Sequence, residues 1–419
     1  MKQKKYPTYK PSGVEWIGDV PKHWGVKRLR FLLTPDGVKI GPFGSDLKYE
    51  HIKDAGIKIY GQEHVIKDDF TLGKKYIDHD KFAELEAYEL SPGDIVVTMM
   101  GTTGRCKVFP EGVEKGIMDS HLTRLRTKSD EYLPQLLALV VNDSYFVFGQ
   151  LKWHSKGSIM EGLNSTIIRS LVIPVPNIEE QQQILKYITE KKKIIEETIR
   201  KKEKLIELLQ EERTAIINQA VTRGLDTNVK MKDSGVEWLG EIPEHWEVKK
   251  LKFALTIKNG DGIKQEDLVS NEGYPAYGGN GVIGNHKSYN HDGIALVVGR
   301  VGAKCGNVHL TSGKKWVSDN ALITETTENP FYIYNLLTAL DLNKYATQNA
   351  QPLITGTTIK EQVVALPPIN EQSIISDFIS KKNSIAYSTI AKIEQELLLL
   401  YEYRTALINE VVTGKRCVI

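Results

Sequence analysis

Apolar residues along this chain follow two rhythms, one long and one short. From Ile178 to about Val221 they recur alternately three and four positions apart. The series is Leu185, Ile188, Lys192, Ile195, Ile199, Lys202, Ile206, Leu209, Arg213, Ile216 and Ala220. Eight of these eleven are apolar, and charges fill the other faces, the pattern of a helix that buries one seam against another helix. No Gly or Pro interrupts the run, while Pro174, Pro176 and Gly224 punctuate its ends. Adding 191 to each number gives a second seam: Ser376, Ile379, Asn383, Ala386, Ile390, Ile393, Leu397, Leu400, Arg404, Leu407 and Val411, again eight apolar of eleven. Two helices with one seam each satisfy one another by pairing. About 44 helical residues at about 1.5 Å each span roughly 65 Å, a spacer rather than part of a globular core. Arg213 and Arg404 share one step of the seam, and each is expected to snorkel to water or pair with a neighbouring acid such as Glu212 or Glu402.

The short rhythm lies before each helix. Gly93-Asp-Ile-Val-Val-Thr-Met-Met100 and Gly293-Ile-Ala-Leu-Val-Val-Gly299 are β-branched runs bounded by turn formers, hence predicted buried strands. Each leads into a Gly-containing loop, Gly101-Thr-Thr-Gly-Arg-Cys106 or Arg300-Val-Gly-Ala-Lys-Cys-Gly306. Tyr132 to Phe148 and Phe331 to Leu340 predict short helices, and Leu171–Pro176 and Gln362–Pro367 predict strand-like exits towards the long helices.

Around these middles the chain repeats itself. Ser12-Gly-Val-Glu-Trp-Ile-Gly-Asp-Val-Pro-Lys-His-Trp24 returns 222 residues later as Ser234-Gly-Val-Glu-Trp-Leu-Gly-Glu-Ile-Pro-Glu-His-Trp246. Pro176-Asn-Ile-Glu-Glu-Gln181 and Arg213-Thr-Ala-Ile-Ile-Asn218 return at an offset of 191, as Pro367-Pro-Ile-Asn-Glu-Gln372 and Arg404-Thr-Ala-Leu-Ile-Asn409. The first middle is thus 31 residues longer than the second. Similar ends around dissimilar middles imply two copies of one architecture with different cargo.

Charge narrows the partners less than expected for a nucleic-acid binder. Residues 1–30 carry eight Lys/Arg against two acids, but residues 31–176 carry 17 against 20 and residues 254–368 nine against ten. Local patches or a partner would have to supply much of any phosphate attraction. Three scattered cysteines (Cys106, Cys305, Cys417), no apolar run of membrane-span length and a polar start at Met1–Tyr6 fit a reducing cytoplasm without a disulfide framework or signal peptide.

The screen for chemistry is mostly negative. No cysteine pair or His pair has zinc-ligand spacing, and no Gly-x-Ser-x-Gly marks a nucleophile. Gly278-Gly-Asn-Gly-Val-Ile-Gly284 lacks a Walker lysine and reads as a hairpin turn at Val282-Ile283. Asn329-Pro-Phe-Tyr332 resembles the Asn-Pro-Pro-Tyr loop with which amino-methylating DNA methyltransferases hold a flipped base. Its third position is Phe, no Gly-rich strand–loop–helix precedes it, and an Asn cap with Pro at the first helical position explains it structurally. His23 and His245 are expected to pack beside Trp24 and Trp246 where each domain meets its helix.

The repeated phrases, in the order domain, helix, domain, helix over essentially the whole chain, resemble the specificity (S) subunits of type I restriction–modification systems. Further short likenesses are Gly41-Pro-Phe-Gly-Ser45, Gly93-Asp-Ile-Val96, Tyr277–Gly284 and Gly299-Arg-Val-Gly302. The resemblance implies an α+β chain: two mixed α/β target recognition domains, each followed by a long helix, with the two helices in an antiparallel coiled coil of pseudo-two-fold symmetry. The divisions expected are 1–177 and 223–368 for the domains with their repeat segments, and 178–222 and 369–413 for the helices.

It further implies a non-catalytic subunit that reads an asymmetric, gapped double-stranded DNA target. Two modification (M) subunits would bring S-adenosylmethionine and adenine-N6 methylation, and two restriction (R) subunits ATP with Mg, so that no cofactor binds this chain. Base reading needs Arg/Lys for guanine and Asn/Gln for adenine edges. No position matches a family motif for base contact, so candidates come from residue chemistry and loop placement. In the first domain these are Lys39, Ser45, Gln62, Arg105, Lys107, His121, Lys152, His154 and Lys156. In the second they are Lys264, Asn280, Asn285, His286, Lys287, Arg300, Lys304, Gln348, Asn349 and Gln351. Phe43 and Tyr277 are expected to pack rather than stack on bases. The alternatives are a coiled-coil scaffold with two protein-binding heads, favoured by their near-neutral charge, and an adenine methyltransferase built on Asn329–Tyr332.

Overall fold

A computed structural model of the chain describes residues 4–99, 104–154, 165–269, 272–347 and 351–419, with 151–154 described by backbone alone. The chain forms two compact units, residues 1–201 with 396–419, and residues 202–395. Each unit therefore contains one globular head and a portion of both long helices.

Both helices form, over Ile178–Arg223 and Ile369–Val412. Every position of the two seams is buried or half-buried. Past the helices, Gly224 and Gly414 adopt φ of +73° and +72°, the left-handed turn that ends a helix where a Cβ would be strained. The seam arginines depart from expectation. In the second unit Arg213 Nε–H donates to Asn383 Oδ1 at 2.9 Å and its guanidinium lies 4.7 Å from the Tyr387 ring centroid. In the first unit Arg404 lies 3.7 Å from Glu196. A seam position aims its side chain at the facing helix, so neither arginine uses Glu212 or Glu402. In the second unit Arg213 beside Asn383 and Gly224 beside Glu371 make the two helical portions antiparallel, as Arg404 beside Glu196 and Arg416 beside Tyr187 do in the first.

In the first unit, Tyr9–Pro11 pairs antiparallel with Asp19–Pro21, and Gly25–Arg28 pairs antiparallel with Val172–Val175. Between them lies a four-stranded sheet in the order Leu33–Ile40, Leu122–Thr127, Ile95–Thr98, Cys106–Val108. A three-stranded sheet, Tyr76–Ile77, Ile57–Tyr60, Gly116–Met118, has its last pair parallel. The segment 132–148, predicted as one helix, is broken into Pro134–Asp143 and Tyr145–His154 by an extended Ser144. Polar residues at the break have other work: Asn142 bonds the Cys106 backbone in both directions, and Tyr145 N–H donates to Asn409 Oδ1 at 2.7 Å.

The second unit repeats this plan. Met231–Asp233 pairs with Glu241–Pro243, and Glu247–Lys250 with Val363–Leu366. The four-stranded sheet runs Leu255–Asn259, Ala321–Thr326, Ala295–Gly299, Val308–Thr311. The other sheet runs Leu268–Val269, Gly281–His286, Tyr274–Gly278, Trp316–Val317, again with one parallel pair. Registers coincide as well. Tyr9 faces Pro21 as Met231 faces Pro243, and Val172 faces Arg28 as Val363 faces Lys250. Gly279-Asn280 forms the hairpin turn, so Val282 and Ile283 belong to its second strand rather than to the turn.

The first two repeated phrases make matching bonds in both units. Ser12 and Ser234 close a tight loop: each backbone N–H donates to Gly18 or Gly240 O, and each hydroxyl accepts from Val14 or Val236 N–H. Glu180 and Glu371, in the first turn of each long helix, take His23 Nε2 at 3.0 Å and His245 Nε2 at 2.7 Å. Each histidine is thus tied to a carboxylate, a more specific role than packing beside tryptophan. Buried Gln181 and Gln372 accept from the backbone N–H that opens the head's own helix, at Leu133 or Asn329. Trp24 and Trp246 are buried against the ends of the helices, each lying 3.3 Å from where a Cβ on Gly414 or Gly224 would sit. The phrases are joints between head and helices.

The two joints differ at the tryptophan. Trp246 Nε1–H donates to Glu371 Oε1 at 3.1 Å, whereas the corresponding oxygen of Glu180 accepts from the Tyr6 hydroxyl at 2.6 Å. Trp24 Nε1 is left without a partner among the described residues. Trp246→Phe should therefore cost about 1–2 kcal/mol more than Trp24→Phe, because only the former loses a bond to a charged group. Urea denaturation of both variants measures the difference, and equal losses would contradict it.

Candidate recognition loops

In the first head, three backbone hydrogen bonds gather loops at one rim of the sheets. Gly41 N–H donates to Leu122 O, Asp119 N–H to Tyr60 O, and Met99 N–H to His121 O, each at 2.9 Å. Segments 41–46, 61–63 and 119–121 therefore meet, with Arg105 beside them through the bond from Thr98 N–H to Arg105 O at 2.8 Å. The approach is tight: a Cβ on Gly41 would lie 1.8 Å from Asp119 O.

Four predicted contact residues share this rim. Ser45 and His121 are exposed, Gln62 opens the short helix Gln62–Lys67, and Arg105 is exposed with no ion pair among the described residues. His121 is oriented by Asp119, whose Oδ1 accepts its backbone N–H at 2.9 Å and whose Oδ2 lies 3.4 Å from Nδ1. Burial holds the Asp119 carboxyl above its ordinary range, opposed by those His121 contacts. Lys39 sits just inside the rim with its ammonium 4.9 Å from the Tyr88 ring centroid, and Lys107 is paired with Asp68. Lys152 and His154 lie on the helix Tyr145–His154, and only their backbone is described; Lys156 lies outside the described residues.

The second head builds the same rim from different residues. Gly260 N–H donates to Ala321 O at 3.1 Å, Ser318 N–H to Tyr277 O at 2.8 Å, and Arg300 N–H to Asn320 O at 2.9 Å. A Cβ on Gly260 would meet Ser318 O at 2.1 Å, the counterpart of Gly41 against Asp119. Lys264, Asn280, Arg300, Lys304 and Gln351 surround this rim. Asn280 Oδ1 accepts from Asn307 Nδ2–H, Arg300 donates to Asp319 O, and Pro352 O accepts from Gly302 N–H. Gln348 and Asn349 lie outside the described residues.

Three candidates fall elsewhere. Asn285, His286 and Lys287 lie at the far end of the hairpin, where Asn285 faces Pro275 and His286 faces Tyr274. His286 is corrected as a base reader: it is buried, its ring is 4.0 Å from that of Trp316, and its Nδ1 accepts from Ser288 N–H. Asn329 caps its helix, accepting from Phe331 and Tyr332 N–H. The equivalent place in the first head is Leu133-Pro134, which opens a helix with no such side chain, so the position serves the fold.

Phe43 is the opposite correction. Expected to pack, it is 77% exposed, whereas Tyr277 does pack, against the cluster of Ala295, Val297 and Val317. The turn formers on both sides of Phe43 were the available signal. Asn320, exposed at the place His121 holds in the first head, was also missed, and nothing in its sequence neighbourhood marks it. Among the described residues no group of three His, Cys, Asp or Glu is arranged to hold a metal, and no helix is long and apolar enough to cross a membrane.

Comparison with known proteins matches this architecture. The family model described as "Type I restriction modification DNA specificity domain" matches residues 47–208 and 243–399. The EcoprrI specificity subunit of Escherichia coli is 30% identical over 146 residues, 33% of this chain and 36% of that protein. The MjaVIII specificity subunit of Methanocaldococcus jannaschii is 32% identical over 162 residues, 38% of this chain and 35% of that protein. These two matches thus span about a third of the relatives' length. The putative MjaX specificity subunit of the same organism is 25% identical over 386 residues, covering 86% of this chain and 87% of its own.

Two solved structures share the fold at 14% identity, each aligned over 94% of this chain and 98% of its own. One comes from work on the assembly and conformational transition of a type I R-M system (TM-score 0.72), and the other is the HsdS subunit of Thermoanaerobacter tengcongensis (TM-score 0.56). With the family pattern present once in each half and covering most of its length, the chain belongs to the specificity subunits of type I restriction–modification systems.

Proposed function

We propose that this chain reads an asymmetric, gapped DNA target, one half-site per head, and holds methylating and cleaving partners on it. The observation that carries this reading is the pair of rims: one backbone plan, with Ser45, Gln62, Arg105 and His121 on the first and Lys264, Asn280, Arg300 and Asn320 on the second. Matching geometry presents different donors and acceptors, the requirement for two different half-sites. The two long helices set the length of the gap in the target. Two M subunits supply adenine-N6 methylation with S-adenosylmethionine, and two R subunits use ATP and Mg²⁺. The near balance of charge on each head agrees with partners that share the duplex.

The direct test combines purified chain, its M partner and S-adenosylmethionine with a library of duplexes. Methylation confined to one bipartite sequence is expected. Assembly with M but no sequence-dependent methylation at any salt would refute the reading.

A further inference from the structure

We propose that Phe43 is an apolar wedge that enters the base stack of the half-site read by the first head, an inference that rests on the DNA-reading function above. The ring is 77% exposed although it sits in a loop whose backbone is tightly held. On one side Gly41 is bonded to Leu122 and abuts Asp119 so closely that no side chain fits, and Pro42 is buried. On the other, Asp46 N–H donates to Phe43 O at 2.9 Å, and Leu47 and Ile52 pack against the core cluster of Ile57, Ile59, Ile77, Leu85 and Ile117. With its segment anchored at both ends, the ring is presented outwards instead of folding back.

Two further features fit a wedge. Gly44, next in sequence, has no atom within 4 Å of where a Cβ would be, so the backbone beside the ring can approach a duplex closely. Polar groups able to fix register, Ser45, Gln62, His121 and Arg105, lie on the same rim. Apolar side chains inserted between base steps unstack them and bend the duplex, so a wedge adds sequence preference through the deformability of the step it opens.

The test uses the full chain bound to its M partner and a duplex carrying the methylated target. 2-Aminopurine is placed in turn at each step of the half-site assigned to the first head. The adenine that M methylates is left out of the scan, because M flips that base itself. Wild type should brighten the probe at one other step. Phe43→Ala should abolish that signal and weaken binding about 10- to 100-fold, as for loss of one base–aromatic stack, with the melting temperature unchanged because the ring is exposed. Phe43→Leu should retain most of both effects. No brightening at any step, an undiminished signal in Phe43→Ala, or loss of M binding by Phe43→Ala would overturn the wedge. In each of these cases wild-type discrimination between target and scrambled DNA leaves the recognition function standing. Failure of that discrimination would remove the function itself.

Discussion

Exchanging residues 31–170 for the corresponding segment of another specificity subunit is expected to rewrite one half of the methylated target and leave the other half unchanged. The exchange preserves the strand and His parts of the joint: Gly25–Arg28 still pairs with Val172–Val175, His23 still meets Glu180, and the Ser12 loop is untouched. The bonds at Leu133 and Tyr145 are made by backbone N–H groups that any residue but proline supplies. It replaces the whole rim formed by segments 41–46, 61–63 and 119–121 with Arg105. Each mismatched base pair costs about 1–3 kcal/mol, so three altered positions should lower affinity for the old target by about a hundredfold or more. Sequencing of methylated adenines in cells carrying the exchanged gene reads the result. A change in both halves, or in neither, would show that the heads do not read independently.

Matched heptad insertions in the two long helices should give the second large effect. Seven residues add about 10.5 Å of helix, close to the rise of three base pairs at about 3.4 Å each. The native target should lose methylation, and a spacer about three base pairs longer should become the best substrate, with both half-site sequences kept. Three base pairs also turn the duplex by about 100°, at roughly 10.5 base pairs per turn, whereas a heptad turns a helix by only about 20°. The new optimum should therefore be weaker than the native one. A spacer unchanged by the insertion would show that the helices do not set the distance.

The frame was legible in the sequence because its signals are periodic or repeated. The seams could be placed on one register, and the burial of all their positions follows from that register. The partners of Arg213 and Arg404 were not legible, because a seam predicts which face is buried but not which residue of the facing helix lies opposite. The joints were visible as repeated phrases without their bonds: nothing in the spacing of His23 and Glu180, 157 residues apart, announces a contact. The rims were the least legible. His286 and Asn280 both sit beside glycines or turn formers, yet one lies under Trp316 and the other at a hairpin tip. The exposure of Phe43 is not legible, because apolar character predicts burial, and only the anchoring of Leu47 and Ile52 shows which way the segment must face.

Each head opens and closes on neighbouring strands, Gly25–Arg28 beside Val172–Val175 and Glu247–Lys250 beside Val363–Leu366. Adjacent strands lie about 4.8 Å apart, so whatever is carried between them begins and ends at nearly one point. A graft at this port is limited by the separation of its two ends rather than by its size or fold. Unrelated binding modules with close termini could be seated there, turning the same two-helix frame into a holder for ligands other than those its present heads select.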